Sequence, residues 1–487
     1  MEKLLELSAA LTPTLQAQDE DEYDRKAQAL ISALNKHPWQ DQPPVKHEDL
    51  DAISYADTIF FLYFLVAAIE AASAGGKAAP RQLPAAVIPG GSLWGHMTQV
   101  LLDFDPVQVR YCGAHLVKVI DCVAVGAEQT EDYVPAIQLL HHVILRLDDT
   151  SSTLTSTHRT FVRLCLLAHA YSQAIDILKR PICHIPPPQN DTQGSSNICS
   201  ASQPAWKYLS PATGLTQPVT SRMFMEFYLL GGLCYMATGE YRDALFFFEV
   251  VVSTPTVPNV ASLIMIEAYK KWLLIGLLLD GVARTVPKNA SSSAMRYIRA
   301  IARPYECVVD AFKENNIERL REEIEAGVGV WQDDGNYGLM VEVFQSYRKY
   351  SIKRIGKTFE ALPIAEIAAR TSLYADDIDE TRTYIETMIL NGELDAVFMS
   401  SGKGDLLRFS PETLKAESQV KPLLASRTQE LVDLLTQVKD SEHRLGLSKE
   451  YIDYLKKLKK IKDDEKKGGS SNKARTDDVD EDMMEEY

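Results

Sequence analysis

Apolar positions in the first two thirds of the chain recur at intervals of three and four residues, and few stretches alternate with period two. This spacing places apolar side chains on one face of a helix and so predicts one helix after another. Breaks that contain proline or glycine, such as Pro43–Pro44 and Pro89–Gly91, separate segments of ordinary helical length. The pattern predicts a mainly α architecture, with a helical repeat region over residues 1–335.

One stretch has the order and spacing of a tetratricopeptide hairpin. The matching positions are Phe227–Tyr235, Gly239, Tyr241, Ala244, Phe248, Val251 and Pro255. The small residues Gly232 and Ala244 let two antiparallel helices approach closely, and Gly239 predicts the turn between them. We expect Tyr235 and Phe248 to fill the space between the two helices.

The spacing of Tyr171 and Ala174 repeats that of Tyr241 and Ala244, which indicates another helical pair before this one. Between the two pairs, residues 181–220 are rich in Pro, Ser and Gln and show no apolar period. Such a composition predicts a surface loop. Stacked helical pairs bury a shared core and expose one long face, which usually binds other proteins.

Two segments are strongly apolar. Ile59–Ile69 is about 11 residues long and is bounded by Asp57 and Glu70, whereas a helix needs ~20 apolar residues to cross a bilayer. Leu263–Leu279 is apolar on nearly every face and ends at Gly281. Both segments predict buried helices, and no membrane anchor is expected.

The pattern changes at about residue 336. Tyr337–Phe359 is amphipathic, and Pro363 stands at the start of a second helix. A third helix is predicted over about residues 377–391, because Gly392 is the kind of residue that commonly ends a helix.

Two short strands follow these helices, Leu394–Met399 and Asp405–Phe409, and a glycine-containing loop joins them. Three helices followed by a hairpin is the order of a winged helix, here over residues 336–410. The exposed edge of a small sheet can pair with a strand of another chain. The residues that we expect at this interface are Leu394, Val397, Phe398, Leu407 and Phe409.

Apolar residues recur every seven positions in C-terminal helices predicted over residues 415–465. The interface residues that this stripe predicts are Leu424, Leu431, Leu434, Val438, Leu445 and Ile452. Companion positions hold the polar residues Arg427, Ser441 and Ser448, so a regular two-stranded coiled coil is disfavoured. The stripe instead predicts a helix that packs into a mixed bundle, with a break at Gly446 and Ser448, where Ser448 caps the second part.

The chain has 487 residues, of which 46% are apolar and 24% are charged. These are ordinary values for a chain that buries a core. Its formal net charge is −16, whereas a protein that coats nucleic acid usually carries the opposite sign. Residues 466–487 combine a Gly/Ser run with many carboxylates, and we expect a disordered acidic tail.

The seven cysteines form no CxxC pair, which favours a reducing compartment over a disulfide framework. The first residues lack the basic and apolar segments of a secretory signal. We therefore expect a protein of the cytoplasm and nucleus.

Patterns that could carry catalysis or bind a metal are weak. The ten histidines form neither HxH nor HExxH, and adjacent His141 and His142 point to different sides of a helix. Cys183–His184 and Cys199 lack a fourth zinc ligand. Gly356–Thr358 resembles the end of a phosphate loop, but no strand precedes it. No catalytic residue, metal site or cofactor is predicted.

A winged helix often binds DNA, which makes a nucleic-acid-binding adaptor the alternative function from a different class. The helix that would enter the groove carries Asp377, Asp379, Glu380 and Glu386 against Arg382 alone. Such a helix repels phosphates. Binding to other proteins is therefore favoured over binding to nucleic acid.

Helical repeats, a winged helix and C-terminal helices, in this order, resemble the PCI-domain family. The family takes its name from the proteasome lid, the signalosome and translation initiation factor three. The segments that carry the resemblance are Phe227–Pro255, Glu267–Leu274, Tyr347–Phe359, Ile367–Arg370 and Met388–Leu394. They spread over about residues 155–410.

The resemblance implies a non-catalytic scaffold subunit of the signalosome, the complex that removes Nedd8 from cullins and so regulates cullin–RING ubiquitin ligases. The implied partners are other PCI subunits, a metalloprotease subunit that performs the chemistry and, through the complex, the cullin–RING ligases. In such complexes winged helices pair edge to edge and C-terminal helices join a common bundle. The equivalent subunit of the proteasome lid or of initiation factor three is the alternative.

Overall fold

The computed structural model describes residues 13–36, 53–74 except 56, 83–187, 198–256 except 201 and 202, 260–371 except 315, 378–409 except 402 and 403, 417–447 and 451–457, with single residues at 8, 11, 50 and 459. They form two compact units. The repeat unit contains the described residues of 1–355 and 365–381, and the C-terminal unit contains those of 356–364 and 382–487. The expected acidic tail at residues 466–487 lies outside the described residues.

Helices dominate both units. In chain order they are α1 (Pro13–Gln18), α2 (Glu20–Asn35), α3 (Thr58–Ala74), α4 (Trp94–Asp103), α5 (Gly113–Thr130), α6 (Val134–Leu147), α7 (Ser156–Leu167), α8 (Tyr171–Leu178), α9 (Ala205–Tyr208), α10 (Ser221–Ala237), α11 (Tyr241–Ser253), α12 (Leu263–Asp280), α13 (Ser292–Ile301), α14 (Arg303–Lys313), α15 (Ile317–Ala326), α16 (Val328–Asp333), α17 (Tyr337–Thr358), α18 (Ile364–Thr371), α19 (Ile378–Leu390) and α20 (Glu417–Leu447). The strands are β1 (Ala361–Pro363), β2 (Ala396–Ser401) and β3 (Gly404–Phe409).

The repeat unit contains a row of helices, α3, α5, α7, α10 and α12, in which each helix contacts the next. Between them along the chain, α8 contacts both α7 and α10, and α11 contacts both α10 and α12. One continuous apolar core extends from Leu11 to Tyr347. This arrangement confirms the predicted mainly α fold with a helical repeat array.

The α10–α11 hairpin forms as its spacing predicts. The Thr220 hydroxyl accepts a hydrogen bond from the Met223 N–H at 3.2 Å and so caps α10. Gly232 lies so close to the buried Phe248 ring that a Cβ atom on it would be 2.6 Å away. Gly239 makes the turn with a φ of +78°.

The second half of the insert at residues 181–220 is packed into the repeat unit. Its buried side chains are those of Cys199, Tyr208, Leu209, Leu215 and Thr216. The prediction of a surface loop was therefore wrong for this half. Isolated buried residues without a period hold the segment in place, and a pattern search does not detect them. Residues 188–197 of the insert lie outside the described part of the chain.

We call residues 198–220 the strap. The buried side chain of Arg110 joins the strap to the helices. Arg110 donates hydrogen bonds from Nη1 to the carbonyl oxygens of Ile198 and Ser200, each at 2.9 Å. Its guanidinium lies 3.8 Å from the centre of the Tyr208 ring. The Tyr208 hydroxyl donates to the carbonyl oxygen of Leu147 at the end of α6. These contacts satisfy a charge that is only 6% exposed.

The C-terminal unit contains a three-stranded antiparallel sheet with the order β1–β3–β2. The hairpin strands β2 and β3 agree with the two predicted strands. β1 was not predicted, because its three residues are too few to show a period. Pro363 ends β1 and stands directly before α18, so the predicted helix start is at the correct place.

α20 continues for 31 residues and includes Pro422. The helix ends at Leu447, directly after Gly446, and Ser448 lies outside the described residues, so the predicted break at Gly446 and Ser448 stays a prediction. Residues 451–457 are again helical.

Candidate partner-binding surfaces

In the described part of the chain, no group of three or more His, Cys, Asp or Glu side chains could hold a metal ion. All seven cysteines are free thiols, and Cys199 donates a hydrogen bond from Sγ to the carbonyl oxygen of Glu20. No described helix is both long and apolar enough to cross a membrane.

One serine–histidine pair has the spacing of a nucleophile and its base. The Ser151 Oγ lies 2.8 Å from Nε2 of His158, and the Thr155 Oγ1 lies 2.8 Å from Nδ1. Ser151 and His158 are buried, at 0% and 2% exposure. Burial lowers the pKa of His158 to about 4, against the opposing charge of Asp148. Both side chains are enclosed by the fold, and the histidine caps the start of α7.

The sheet of the C-terminal unit has one covered face and one open face. Side chains of all three strands lie in the core on the covered face, namely Leu362, Ala396, Leu407 and Phe409. The Phe409 ring packs so closely on Gly356 that an added Cβ would lie 2.8 Å from it. On the open face, Val397 and Met399 are each about half exposed.

Three of the five residues expected at the winged-helix interface lie in the interior. Leu394, Leu407 and Phe409 are buried. β3 is the central strand, so β1 and β2 occupy both of its edges. The alternation of apolar and polar residues along a strand does not show whether a third strand will pair with its other edge. Val397 is exposed, whereas Phe398 pairs with the buried Leu407 and is half-buried, and an interface role of these two residues stays a prediction.

Met399 is an accessible residue that the sequence reasoning missed. It lies two positions after Val397 on the same strand, so both side chains point to the open face of the sheet. Alternation from Val397 could have identified it. The candidate surface of the sheet is therefore the free edge and open face of β2.

Arg382 is the one cation that the sequence places among the acidic residues of α19. Its Nε lies 3.1 Å from Oε1 of Glu386, and its Nη1 forms an ion pair with Asp405. Its guanidinium also lies 5.7 Å from the centre of the Phe398 ring. A cation that already faces two carboxylates is poorly placed for a phosphate, which supports the argument against a nucleic-acid groove.

The apolar stripe of the C-terminal helix is open along its length. Its members in α20 are between 54% and 63% exposed: Leu424, Leu431, Leu434, Val438 and Leu445. Ile452, in the next helical residues, is 37% exposed. Val432 and Leu435 widen the stripe and were missed, because the search counted only every seventh residue and its companions. A surface of this size and apolarity usually marks a protein–protein contact.

Comparison with known proteins gives related sequences of one name. The family model of COP9 signalosome complex subunit 3, N-terminal helical repeats, matches residues 82–294. COP9 signalosome complex subunit 3 of Emericella nidulans is 28% identical over 475 residues, which cover 95% of this chain and 94% of that protein. The proteins of that name from Neurospora crassa and Drosophila melanogaster are 27% and 26% identical, over 75% and 73% of this chain and 75% and 77% of their own lengths.

Proposed function

We propose that the chain, which is similar to COP9 signalosome complex subunit 3 over most of its length, serves the signalosome as a scaffold subunit. The observation that carries the proposal is the exposed stripe on α20. Apolar burial stabilises by about 25 cal/mol for each Å² removed from water. A stripe that stays open among the described residues along a helix of 31 residues gains that stabilisation when another chain covers it.

The finer proposal follows from the resemblance to PCI subunits. The chain itself contributes no catalytic residue, and a metalloprotease subunit removes Nedd8 from cullins. The stripe of α20 joins the terminal helices of other PCI subunits, while the free edge of β2 pairs with the sheet of a neighbouring winged helix. Cullin–RING ligases meet the chain through the complex, in both nucleus and cytoplasm.

The test is a change of the stripe in the full chain, tagged and purified from its own cells. Leu431→Asp with Val438→Asp places two carboxylates in the proposed bundle, and we expect the other subunits to be lost from the purified material. Cullins should then accumulate in their Nedd8-modified form. Mass spectrometry of the retained proteins measures the first effect and immunoblotting the second.

Gln429→Asp with Thr436→Asp is the matched control. These residues have the same seven-residue spacing on the opposite side of α20 and are also exposed, so the complex should form normally. Normal assembly of the stripe variant would contradict the proposed role of α20. Recovery of proteasome ATPases or ribosomal proteins with the unaltered chain would move its function to the lid or to translation.

A further inference from the structure

Residues 281–305, which follow α12, have basic side chains but no Asp or Glu. This is unusual in a chain whose net charge is −16. The basic residues are Arg284, Lys288, Arg296, Arg299 and Arg303. The last three lie on α13 and at the first residue of α14.

These three arginines form one stripe on the surface. They are spaced by three and then by four residues, and residues at this spacing lie on one face of a helix. Ala302 alone separates α13 from α14. The stripe continues across this junction, because Nε of Arg299 lies 3.6 Å from Oε1 of Glu306 and Arg303 stands between them in the chain.

Two of the arginines have no counterion among the described residues. Arg296 and Arg303 are exposed, and neither side chain forms an ion pair or a hydrogen bond with a described residue. Arg299 is 54% exposed and pairs with Glu306. Like charges three or four positions apart repel one another. An anion that binds along the stripe removes this repulsion.

The described carboxylates of α14 do not neutralise the stripe. Glu306 Oε1, which faces Arg299, also accepts a hydrogen bond from the Tyr269 hydroxyl at 2.9 Å. Asp310 lies one turn further along α14 and pairs with Lys313 at 3.3 Å. Three guanidinium groups therefore face one shared carboxylate, and the stripe keeps a net positive charge.

An apolar stripe runs beside the arginines. Tyr297 and Ile301 are four residues apart on α13 and are 47% and 57% exposed. Ala300 is also exposed and lies between the two stripes on the helical surface. Its small side chain leaves room for an incoming side chain. Arginine and tyrosine are both enriched where proteins bind one another.

We propose that this face of α13, with the first residue of α14, binds an acidic segment of another subunit. Carboxylates of the segment pair with the arginines, which bind a carboxylate through two parallel hydrogen bonds. An aliphatic side chain of the segment packs on Ala300 beside Tyr297. The stripe is about 10 Å long, so carboxylates three or four positions apart on a partner helix match it. The proposal rests on the proposed function, since it requires the chain to be part of a complex.

Nucleic acid is the competing anion, and two observations disfavour it. The net charge of the whole chain repels a long polyanion. Affinity for a phosphate backbone grows with the number of phosphates that are neutralised, and three arginines neutralise few. The exposed side chain of Ile301 instead gains from contact with an aliphatic side chain of a protein.

The test is photo-crosslinking inside the complex, purified from its own cells. p-Benzoyl-phenylalanine replaces Tyr297 in the full chain, and in a second preparation it replaces Trp206 of the strap, which is 46% exposed. From position 297 we expect crosslinks to a segment of another subunit that has acidic and aliphatic residues at helical spacing. Position 206 should not reach that segment. Crosslinks from position 297 only to this chain, to nucleic acid or to a segment without carboxylates, or none at all, would overturn the proposal.

A charge reversal tests the arginines. Arg303→Glu should lower the yield of the crosslink from position 297 at least fivefold. Arg242→Glu on α11 is the matched control, because Arg242 is also exposed and its side chain also has no partner among the described residues. Equal yields from the two variants would contradict the charge argument. If the chain does not enter the complex, both this inference and the proposed function fail; if it enters without the crosslink, only this inference fails.

Discussion

Helices α12 and α20 use the same kinds of apolar residue in opposite ways. α12 has 18 residues, and eleven of them are buried, including Lys271. α20 has 31 residues, and its leucines and valines lie open. Neighbouring helices α10, α11, α13 and α14 contact α12. The contrast shows that α12 obtains its stabilising contacts within the chain, whereas the apolar side chains of α20 stay exposed, as their proposed contact with another subunit requires.

The largest expected effect is found when one leucine of α12 and one leucine of α20 are each replaced by alanine and the losses of unfolding free energy are compared. Leu274→Ala in α12 removes a side chain with 0% exposure and should cost about 2–5 kcal/mol of unfolding free energy. Leu431→Ala in α20, where the side chain is 63% exposed, should cost less than about 0.5 kcal/mol. Urea unfolding of the isolated chain measures both. Equal costs would mean that α20 is covered by its own chain.

Acid should weaken the repeat unit through His158. Burial lowers the pKa of His158 to about 4 in the folded chain, from an ordinary value of 6.5. The unfolded chain therefore takes up a proton first, and stability that is complete above pH 6.5 is lost as the pH falls toward 4. The shift corresponds to about 3 kcal/mol.

The measurement for His158 is unfolding free energy between pH 7 and pH 4. His158→Gln removes the titrating group, so its unfolding free energy should fall less over this range. His169→Gln, at an exposed position, is the control for the substitution itself. A His158 variant with the parent's pH profile would contradict the assignment.

Two glycines with positive φ test how tightly the end of α12 is packed. Gly281 ends α12 with a φ of +64°, and a Cβ on it would lie 2.2 Å from the Tyr350 ring. Gly239 has a φ of +78° but nothing within 4 Å. Gly281→Ala should cost about 2–3 kcal/mol and Gly239→Ala about 1 kcal/mol, because only the first adds a clash to the backbone strain. Thermal unfolding compares them, and equal costs would show that Tyr350 moves aside freely.

The smallest expected effect concerns the strap. Tyr208→Phe removes the hydroxyl that donates to Leu147 O and should cost about 1 kcal/mol. Tyr171→Phe, which removes a hydroxyl beside exposed His169, is the control and should cost less. Hydrogen exchange should become faster in residues 203–220 of the Tyr208 variant and stay unchanged in α20. Unchanged exchange in the strap would show that Arg110 alone holds it.

The sequence determined the features that repeat locally. The spacing of Gly232, Ala244 and Phe248 predicts the α10–α11 hairpin, and the seven-residue period predicts the stripe of α20, because a helix brings residues three and four apart to one face. The resemblance to PCI subunits depended on the order of helical repeats, winged helix and C-terminal helices and on segments within about residues 155–410.

Only the tertiary structure decided which surfaces are free. It buried Leu407 and Phe409 on the covered face of the sheet, where the Phe409 ring packs on Gly356, and it added β1 to the other edge of β3. It buried the strap through Arg110 and Tyr208. It also joined the leucines of α7 and α10 into one groove. These outcomes depend on pairs of residues far apart in the chain, and a local pattern of apolar and polar positions contains no information about which distant segment will cover it.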